Sequence, residues 1–218
     1  MITFRQYWVA TLFVIASFIV AGRLYGSLPD PVPTHWGPEG EVNGWTSKPF
    51  GAFLGPLIGV LLVALLVVLP RLSPRGFEMT PFQRVYPTLV AAIAGLMLYV
   101  TTFALATATG ATMPAPGRLL AGVGVFLVVI GNFLGKVTQN FFIGIRTPWT
   151  LASDRVWERT HRFAGPVFVL GGVLLVVASL FMKSPLVLIA IVVVTVLSPA
   201  VYSYVVWHRG EANIGQEP

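Results

Sequence analysis

The chain has 218 residues, of which 56% are hydrophobic and 10% are charged, and its formal net charge is +6. Ordinary soluble domains contain roughly 45–50% apolar and 25% charged residues, and so little polar surface cannot cover so much apolar surface. These proportions exclude a soluble globular protein and predict one membrane domain over residues 1–218. Because the sequence has no cysteine, disulfides, thiol nucleophiles and thiolate metal sites are excluded.

Six long apolar stretches follow one another along the sequence. Most of them approach the roughly 20 residues that a helix needs to cross a bilayer, and they are continuously apolar rather than alternating, as barrel strands would be. The predicted spans are about Tyr7–Leu24, Phe50–Leu69, Tyr86–Ala108, Leu119–Leu134, Ala164–Met182 and Leu186–Trp207. The fold class is therefore an all-α integral membrane protein with six transmembrane helices.

Lysine and arginine are distributed unequally between the two sides that these spans define. The side of the two termini holds ten of them: Arg5, Arg71, Arg75, Arg84, Lys136, Arg146, Arg155, Arg159, Arg162 and Arg209. The opposite side holds four: Arg23, Lys48, Arg118 and Lys183. Because cytoplasmic loops carry an excess of positive charge, both termini and the 135–163 loop are predicted to be cytoplasmic, and the 25–49 loop extracellular. The positive charge then marks topology, and no direct contact with nucleic acid is predicted.

The 25–49 loop is rich in proline and glycine, which favour turns over helix or strand. Its central residues are candidates for contact with an outer ligand: Thr34, His35, Trp36, Gly40 and Glu41. Three interpretations stay open. In the first, His35 binds a divalent metal together with Glu39 or Glu41, although the spacing matches no established helical metal motif. In the second, the loop is a folded cap in which His35 bonds to the backbone. In the third, its carboxylates and aromatic rings bind a cationic, amphipathic peptide.

The 135–163 loop is the most distinctive part of the sequence. Gly144 and Pro148 indicate a tight, irregular turn that carries Arg146 and Trp149. Ser153 is a candidate N-cap, so a short helix is predicted to begin at about residue 154 and to lead towards the fifth span.

The short helix presents two different faces. Arg155, Arg159 and Arg162 form a basic stripe, while Trp157 and His161 lie on a neighbouring face. One interpretation is an interfacial helix whose arginines meet anionic headgroups of the lipid bilayer. The other is a docking surface for a cytoplasmic partner, with arginine and tryptophan as its anchors. Because no nucleophile or carboxylate lies at a suitable spacing from His161, no catalytic residue and no cofactor are predicted.

Two motifs together resemble those of the SdpI family of bacterial integral membrane proteins. The inner motif consists of Gly131, Asn132, Lys136, Asn140, the run from Gly144 to Leu151 (GIRTPWTL), Val156, Trp157, Thr160 and His161. The outer motif, from Leu28 to Lys48, resembles the small domain of unknown function that often begins proteins of this family. Where that motif is expected to carry an acidic residue, this chain has Asn43, which argues against a metal site.

The resemblance implies a multi-pass protein of the bacterial plasma membrane that protects a cell against a secreted peptide toxin. It also implies that the protein holds a cytoplasmic transcriptional regulator at the membrane. On this basis the inner motif is predicted to face that partner through Asn132, Asn140, Gly144, Arg146, Pro148, Trp149, Thr150, Trp157 and His161.

Other functions stay open beside this one. The inner motif is also compatible with a wholly structural role that ties the fourth and fifth spans together. A membrane-embedded, metal-dependent hydrolase would use His35 and Glu41 near the outer surface. A small exporter of amphipathic peptides or lipids would need an energy-coupling residue in a span, and the predicted spans contain essentially no ionisable side chains.

Overall fold

The computed structural model describes residues 4–37, 41–72, 85–110, 116–182 and 184–214. Within these ranges, six helices are long and apolar enough to cross a membrane. They are α1 (Trp8–Tyr25), α2 (Lys48–Val68), α3 (Tyr86–Ala108), α4 (Pro116–Leu134), α6 (Asp154–Phe181) and α7 (Pro185–Ile214), and a short helix, α5 (Pro148–Ala152), precedes α6. The prediction of an all-α protein with six spans is confirmed, and α3 has the predicted bounds.

The helices pack in two groups of three. α1, α2 and α3 contact one another, and α6 packs against both α4 and α7, while α3 and α4 join the two groups. One buried cluster contains residues from the start of α1, the start of α3, the end of α4 and α5. These four therefore lie at the same end of the molecule. We call it the signature end, and the opposite end carries the 25–49 segment.

α4 and α6 approach each other through small residues that recur every seven positions. A Cβ atom added at Gly124 would lie 2.7 Å from the carbonyl oxygen of Gly172, and one added at Gly131 would lie 2.8 Å from that of Gly165. The antiparallel register pairs Gly117 with Ser179, Gly124 with Gly172 and Gly131 with Gly165. Because lipid tails are as apolar as leucine, helices in a membrane are held together largely by such close packing.

The outer segment contains strands, which corrects the expectation of turns alone. β1 (Val32–Trp36) pairs antiparallel with β2 (Val42–Thr46) in a two-stranded sheet. Both strands are rich in β-branched and aromatic residues, which favour strands. Pro33 is tolerated because each strand of a two-stranded sheet has a free edge. Register shifts on either side of His35 make the pairing irregular. We call this unit the outer hairpin.

The predicted interfacial helix is not a separate element. Residues from Asp154 onward continue without interruption into the fifth span as one helix of 28 residues. Ser153 caps it as predicted, since its side chain accepts a hydrogen bond from the backbone N–H of Val156. The helix continues because Pro166 is the first helix breaker after Ser153, and membrane helices tolerate an interior proline where neighbouring helices pack against them.

Candidate functional site

Asn140 organises the backbone of the 135–163 segment, which we call the signature segment. Its amide nitrogen donates to the carbonyl oxygens of Thr138 and Ile143, at 2.8 and 3.0 Å. Its amide oxygen accepts from the backbone N–H groups of Phe142 and Ile143, both at 2.8 Å. The side chain is 1% exposed. Because all these bonds are internal, Asn140 specifies the loop conformation and has no free group for a partner.

Trp157 and His161 form a buried, stacked pair at the centre of the segment. Their ring centroids are 4.1 Å apart, and each side chain is 1% exposed. The indole N–H of Trp157 donates to the carbonyl oxygen of Val137 at 2.7 Å. His161 Nδ1 donates to the carbonyl oxygen of Trp157 at 2.9 Å, and Nε2 accepts from the backbone N–H of Ile145 at 3.0 Å. These bonds require a neutral imidazole and occupy both of its nitrogens.

Gly144 is required by this buried pair. Its backbone has a φ of +118°, a conformation that favours glycine. A Cβ atom at this position would lie 2.4 Å from His161 Nε2 and 3.1 Å from the Trp157 ring. The loop therefore passes directly over the two rings, and any residue larger than glycine would push the loop away from the rings.

Hydrogen bonds tie α5 to its surroundings on both sides. Thr147 and Thr150 form a capping box at its start. The hydroxyl groups of Thr147 and Ser203 lie 3.0 Å apart, which links α5 to α7. Gln139 donates to the carbonyl oxygen of Thr150 at 2.8 Å, so the segment after α4 is bound to the end of α5. The sequence interpretation did not single out Gln139 or Ser203, because each acts only through a contact distant in sequence.

The predicted partner-facing residues separate into two sets. Asn140, Thr150, Trp157 and His161 are at most 1% exposed, so in this structure their side chains lie in the interior and not on the surface. The physical reason is that the hydrogen bonds and ring stacking described above turn these polar and aromatic groups into the interior. This burial agrees with the structural role that the sequence left open.

The second set remains accessible. Arg146 is exposed and donates through Nη1 to the carbonyl oxygen of Phe141, while Pro148 is exposed at the first position of α5. Trp149 is half-buried, with its ring edge-on to Tyr204 at 5.5 Å. Asn132 is exposed and bonds within α4. A partner at this surface would therefore meet Arg146, Pro148 and Trp149 on the loop and α5.

The signature segment also packs against the first group of helices. Val137 and Trp157 belong to a single buried cluster with Tyr7 and with Tyr86 at the start of α3. Tyr86 donates to the carbonyl oxygen of Leu66 in α2 at 2.5 Å. The rings of Trp157 and His161 therefore lie where both helix groups meet.

A polar cavity of about 400 Å³ lies beside the buried pair. Its charged lining residues are Lys136, Asp154, Glu158 and Arg162. Trp157 and His161 form part of its wall, together with Thr138, whose buried hydroxyl makes no hydrogen bond to any residue of the described ranges. This is a site of mixed charge at the signature end, and the sequence interpretation did not predict it as a cavity.

At the opposite end, Val32 anchors the outer hairpin onto the first helix group. It is 1% exposed and packs in a buried cluster with Ala21 of α1 and Ala52 of α2. A Cβ atom at Gly51 would lie 2.9 Å from the Val32 side chain. Glycine at that position therefore lets the hairpin lie directly on α2.

The predicted outer ligand-facing residues lie on this hairpin. Thr34, His35 and Glu41 are exposed and Trp36 is half-buried, whereas Gly40 and Glu39 lie outside the described residues. Imidazole Nδ1 of His35 bonds to the side-chain oxygen of Asn43. Asn43 thus replaces the acidic residue expected there with a neutral acceptor that orients the imidazole. Trp45 is not among the predicted ligand-facing residues, and it is 57% exposed on β2, opposite Pro33.

The described residues contain no group of three or more histidine, cysteine, aspartate or glutamate side chains that could hold a metal ion. In this part of the chain, the neighbour of His35 is an amide rather than a carboxylate. The metal-dependent hydrolase therefore receives no support from the described geometry.

Comparisons with known proteins agree with this division into two ends. The SdpI/YfhL protein family model matches residues 136–203, and the model described as Domain of unknown function (DUF1648) matches residues 12–60. Over 187 residues, the chain is 29% identical to the immunity protein SdpI of Bacillus subtilis (strain 168), covering 85% of this chain and 87% of that protein. The resemblance to the SdpI family is confirmed.

The SdpI/YfhL match covers the signature segment and ends within α7, and the DUF1648 match runs from α1 through the outer hairpin into α2. Each match thus contains one of the two surfaces described above. Together with the six apolar helices, these similarities identify a multi-pass protein of the bacterial plasma membrane. No solved structure matches the chain.

Proposed function

We propose that the chain is an SdpI-type immunity protein that protects a bacterial cell against a secreted, membrane-active peptide. The observation that carries the proposal is the 29% identity with the immunity protein SdpI of Bacillus subtilis over 85% of this chain. This similarity includes too much of the chain to reflect a shared membrane composition alone. The match of the chain to the SdpI/YfhL family model includes the signature segment, which is held by the buried hydrogen bonds described above.

The peptide is proposed to bind at the outer hairpin. Thr34, His35 and Glu41 are exposed there, and Trp45 is exposed on β2, opposite Pro33. A carboxylate and an exposed indole on the same hairpin suit a cationic, amphipathic peptide, because the indole covers apolar side chains while the carboxylate meets the positive charge. The hairpin is anchored on α1 and α2, so peptide binding there would act directly on the first helix group.

A survival assay tests this proposal. Cells of a sensitive bacterium that express the chain at a verified membrane level are challenged with a panel of secreted membrane-active peptides. We expect selective protection by the wild type. We expect His35→Ala to raise the sensitivity of the cells about tenfold, since one lost charge-assisted or well-oriented hydrogen bond has roughly that effect on binding.

Asn43→Ala is the matched variant, because it removes the same hairpin hydrogen bond but retains the imidazole. Loss of protection in His35→Ala with retention in Asn43→Ala supports direct contact with the peptide. Equal loss in both variants would mean that the bond only shapes the hairpin, and the proposed contact would be withdrawn. Absence of protection against every peptide of the panel by the wild type would contradict the immunity proposal itself.

The signature end is proposed to face the cytoplasm, with both termini inside. Among the described residues, eight lysines and arginines lie at that end and three at the hairpin end, and this asymmetry supports the orientation. Arg75, Arg84 and Lys183 lie outside the described residues. With this orientation, the outer hairpin is extracellular and accessible to a secreted peptide.

We further propose that the signature end recruits a cytoplasmic regulator to the membrane. Arg146 and Trp149 support it, since Arg146 is exposed on the loop, Trp149 is half-buried on α5, and hydrogen bonds fix the backbone that carries them. α1 and α3 also support it, because they pack against the hairpin at one end and against the signature segment at the other. Binding at the hairpin therefore has a continuous packed path to the loop.

Membrane recruitment of a fluorescent regulator tests this second step. Arg146→Ala and Trp149→Ala are each expected to reduce the membrane-bound fraction at least about fivefold, because arginine and tryptophan are the usual energetic anchors of an interface. Arg23→Ala is the control, since it removes an exposed arginine at the hairpin end. Unchanged recruitment in both signature variants, at normal protein level, would remove the docking role.

A further inference from the structure

The polar cavity at the signature end adjoins a second, mostly apolar groove between α4 and α6. The groove has a volume of about 590 Å³ and shares Gly135, Lys136 and Arg162 with the polar cavity. Gly131 and Gly165, where the two helices are in contact, are among its lining residues, and Val169 and Leu170 line its apolar side. The two cavities thus adjoin at these three residues, and together they make a path from an apolar to a polar environment.

Chemical groups follow one another along this path in a fixed order. The apolar part of the groove comes first, and it contains no acidic residue. Lys136 and Arg162 follow at the junction, since they line both cavities. Asp154 and Glu158 come last, since they line only the polar cavity. The junction is therefore cationic, and the outermost part of the site is anionic.

We propose that this path binds a phospholipid whose headgroup carries a primary ammonium, of the phosphatidylethanolamine type. An acyl chain occupies the groove along Val169 and Leu170, and the phosphate binds between Lys136 and Arg162. The ammonium donates hydrogen bonds to the Asp154 and Glu158 carboxylates. The order apolar, cationic, anionic in the protein matches the order acyl chain, phosphate, ammonium in this lipid.

The carboxylates distinguish this lipid from others of the membrane. Phosphatidylglycerol is anionic and offers no cation to Asp154 and Glu158, whose charges repel it. Phosphatidylcholine has the same phosphate but its trimethylammonium carries no N–H donor. A simple basic patch would instead favour the anionic lipid. This inference does not depend on the proposed immunity function.

Native mass spectrometry of the full chain, purified in detergent, tests the proposal. The protein is offered equal amounts of phosphatidylethanolamine, phosphatidylcholine and phosphatidylglycerol with identical acyl chains. We expect the ethanolamine lipid to be retained about tenfold over each of the other two, which is the effect of one charge-assisted hydrogen bond. Lys136→Gln with Arg162→Gln is expected to reduce retention of all three lipids.

The double variant Asp154→Asn with Glu158→Gln is expected to abolish the preference over phosphatidylcholine while leaving phosphatidylcholine bound. Arg159→Ala is the control, since this exposed arginine of the same helix lines neither cavity. Equal or tighter retention of phosphatidylglycerol by the wild type would overturn the proposal. So would a preference that survives in the Asp154→Asn, Glu158→Gln variant, or a wild type that retains no lipid. Each variant is first shown to elute as a single folded species.

Discussion

Gly172→Val is expected to lower the free energy of unfolding by about 3 kcal/mol, the upper range of overpacking a close interface. A Cβ atom there would lie 2.5 Å from the carbonyl oxygen of Gly124 and 2.9 Å from the backbone nitrogen of Val128. These are backbone atoms, so the clash is relieved only if α4 and α6 move apart. Separation would also break the neighbouring contact between Gly131 and Gly165, because the three pairs share one register.

The measurement is the fraction of protein that stays monodisperse in detergent after heating, taken over a range of temperatures. Gly22→Val is the matched control: the same substitution lies in α1, where an added Cβ atom meets nothing within 4 Å. Each variant replaces one helical glycine by valine, so the difference between their thermal stabilities isolates the effect of packing between helices. If the monodisperse fraction falls by half at the same temperature in both variants, the α4–α6 contact is not as close as described.

Gly144→Ala is expected to lower the free energy of unfolding by about 3 kcal/mol, because a strained backbone and a steric clash act together. The backbone conformation at φ +118° disfavours alanine, and the methyl group would meet His161 Nε2. Relief requires the loop to rise from the rings, which removes the bond between Ile145 and His161. The substitution is therefore expected to destabilise the signature segment more than the rest of the fold, so that this segment opens at temperatures where the helices remain packed.

Trypsin cleavage after Arg146 provides the local measurement, because the bond becomes accessible when the loop rises. Cleavage is expected to be much faster in Gly144→Ala than in wild type at temperatures where both remain folded. Gly135→Ala is the control, since an added Cβ atom there has open space. If Gly144→Ala is cleaved no faster than this control, the loop does not lie over the rings as described.

The membrane class and the helices could be predicted from the sequence. A span is a local property, because about 20 consecutive apolar residues are sufficient to cross the bilayer whatever they pack against. The α3 bounds were predicted correctly, and Ser153 was recognised as a cap, since capping depends on neighbouring backbone N–H groups. The family resemblance was equally readable, because the motif residues occur in a fixed order.

The roles of individual motif residues needed the tertiary structure. Trp157 and His161 look like surface anchors in the sequence, because aromatic and titratable residues occur both on surfaces and in cores. Their burial depends on Val137 and Ile145, which supply a carbonyl and an N–H group from 20 and 16 residues away. Gly144 was expected to form a turn, and only the position of the rings beneath it shows why no other residue fits.

By itself, the sequence determined that this chain is a six-span helical membrane protein with two specific motifs, because hydrophobicity and motif order are carried by neighbouring residues. Only the tertiary structure decided which motif residues are accessible and which are internal. It also brought Lys136 and Arg162 to a junction between an apolar and a polar cavity. Such proximity comes from the packing of α4 against α6, where residues far apart in the chain acquire a common surface that no local pattern contains.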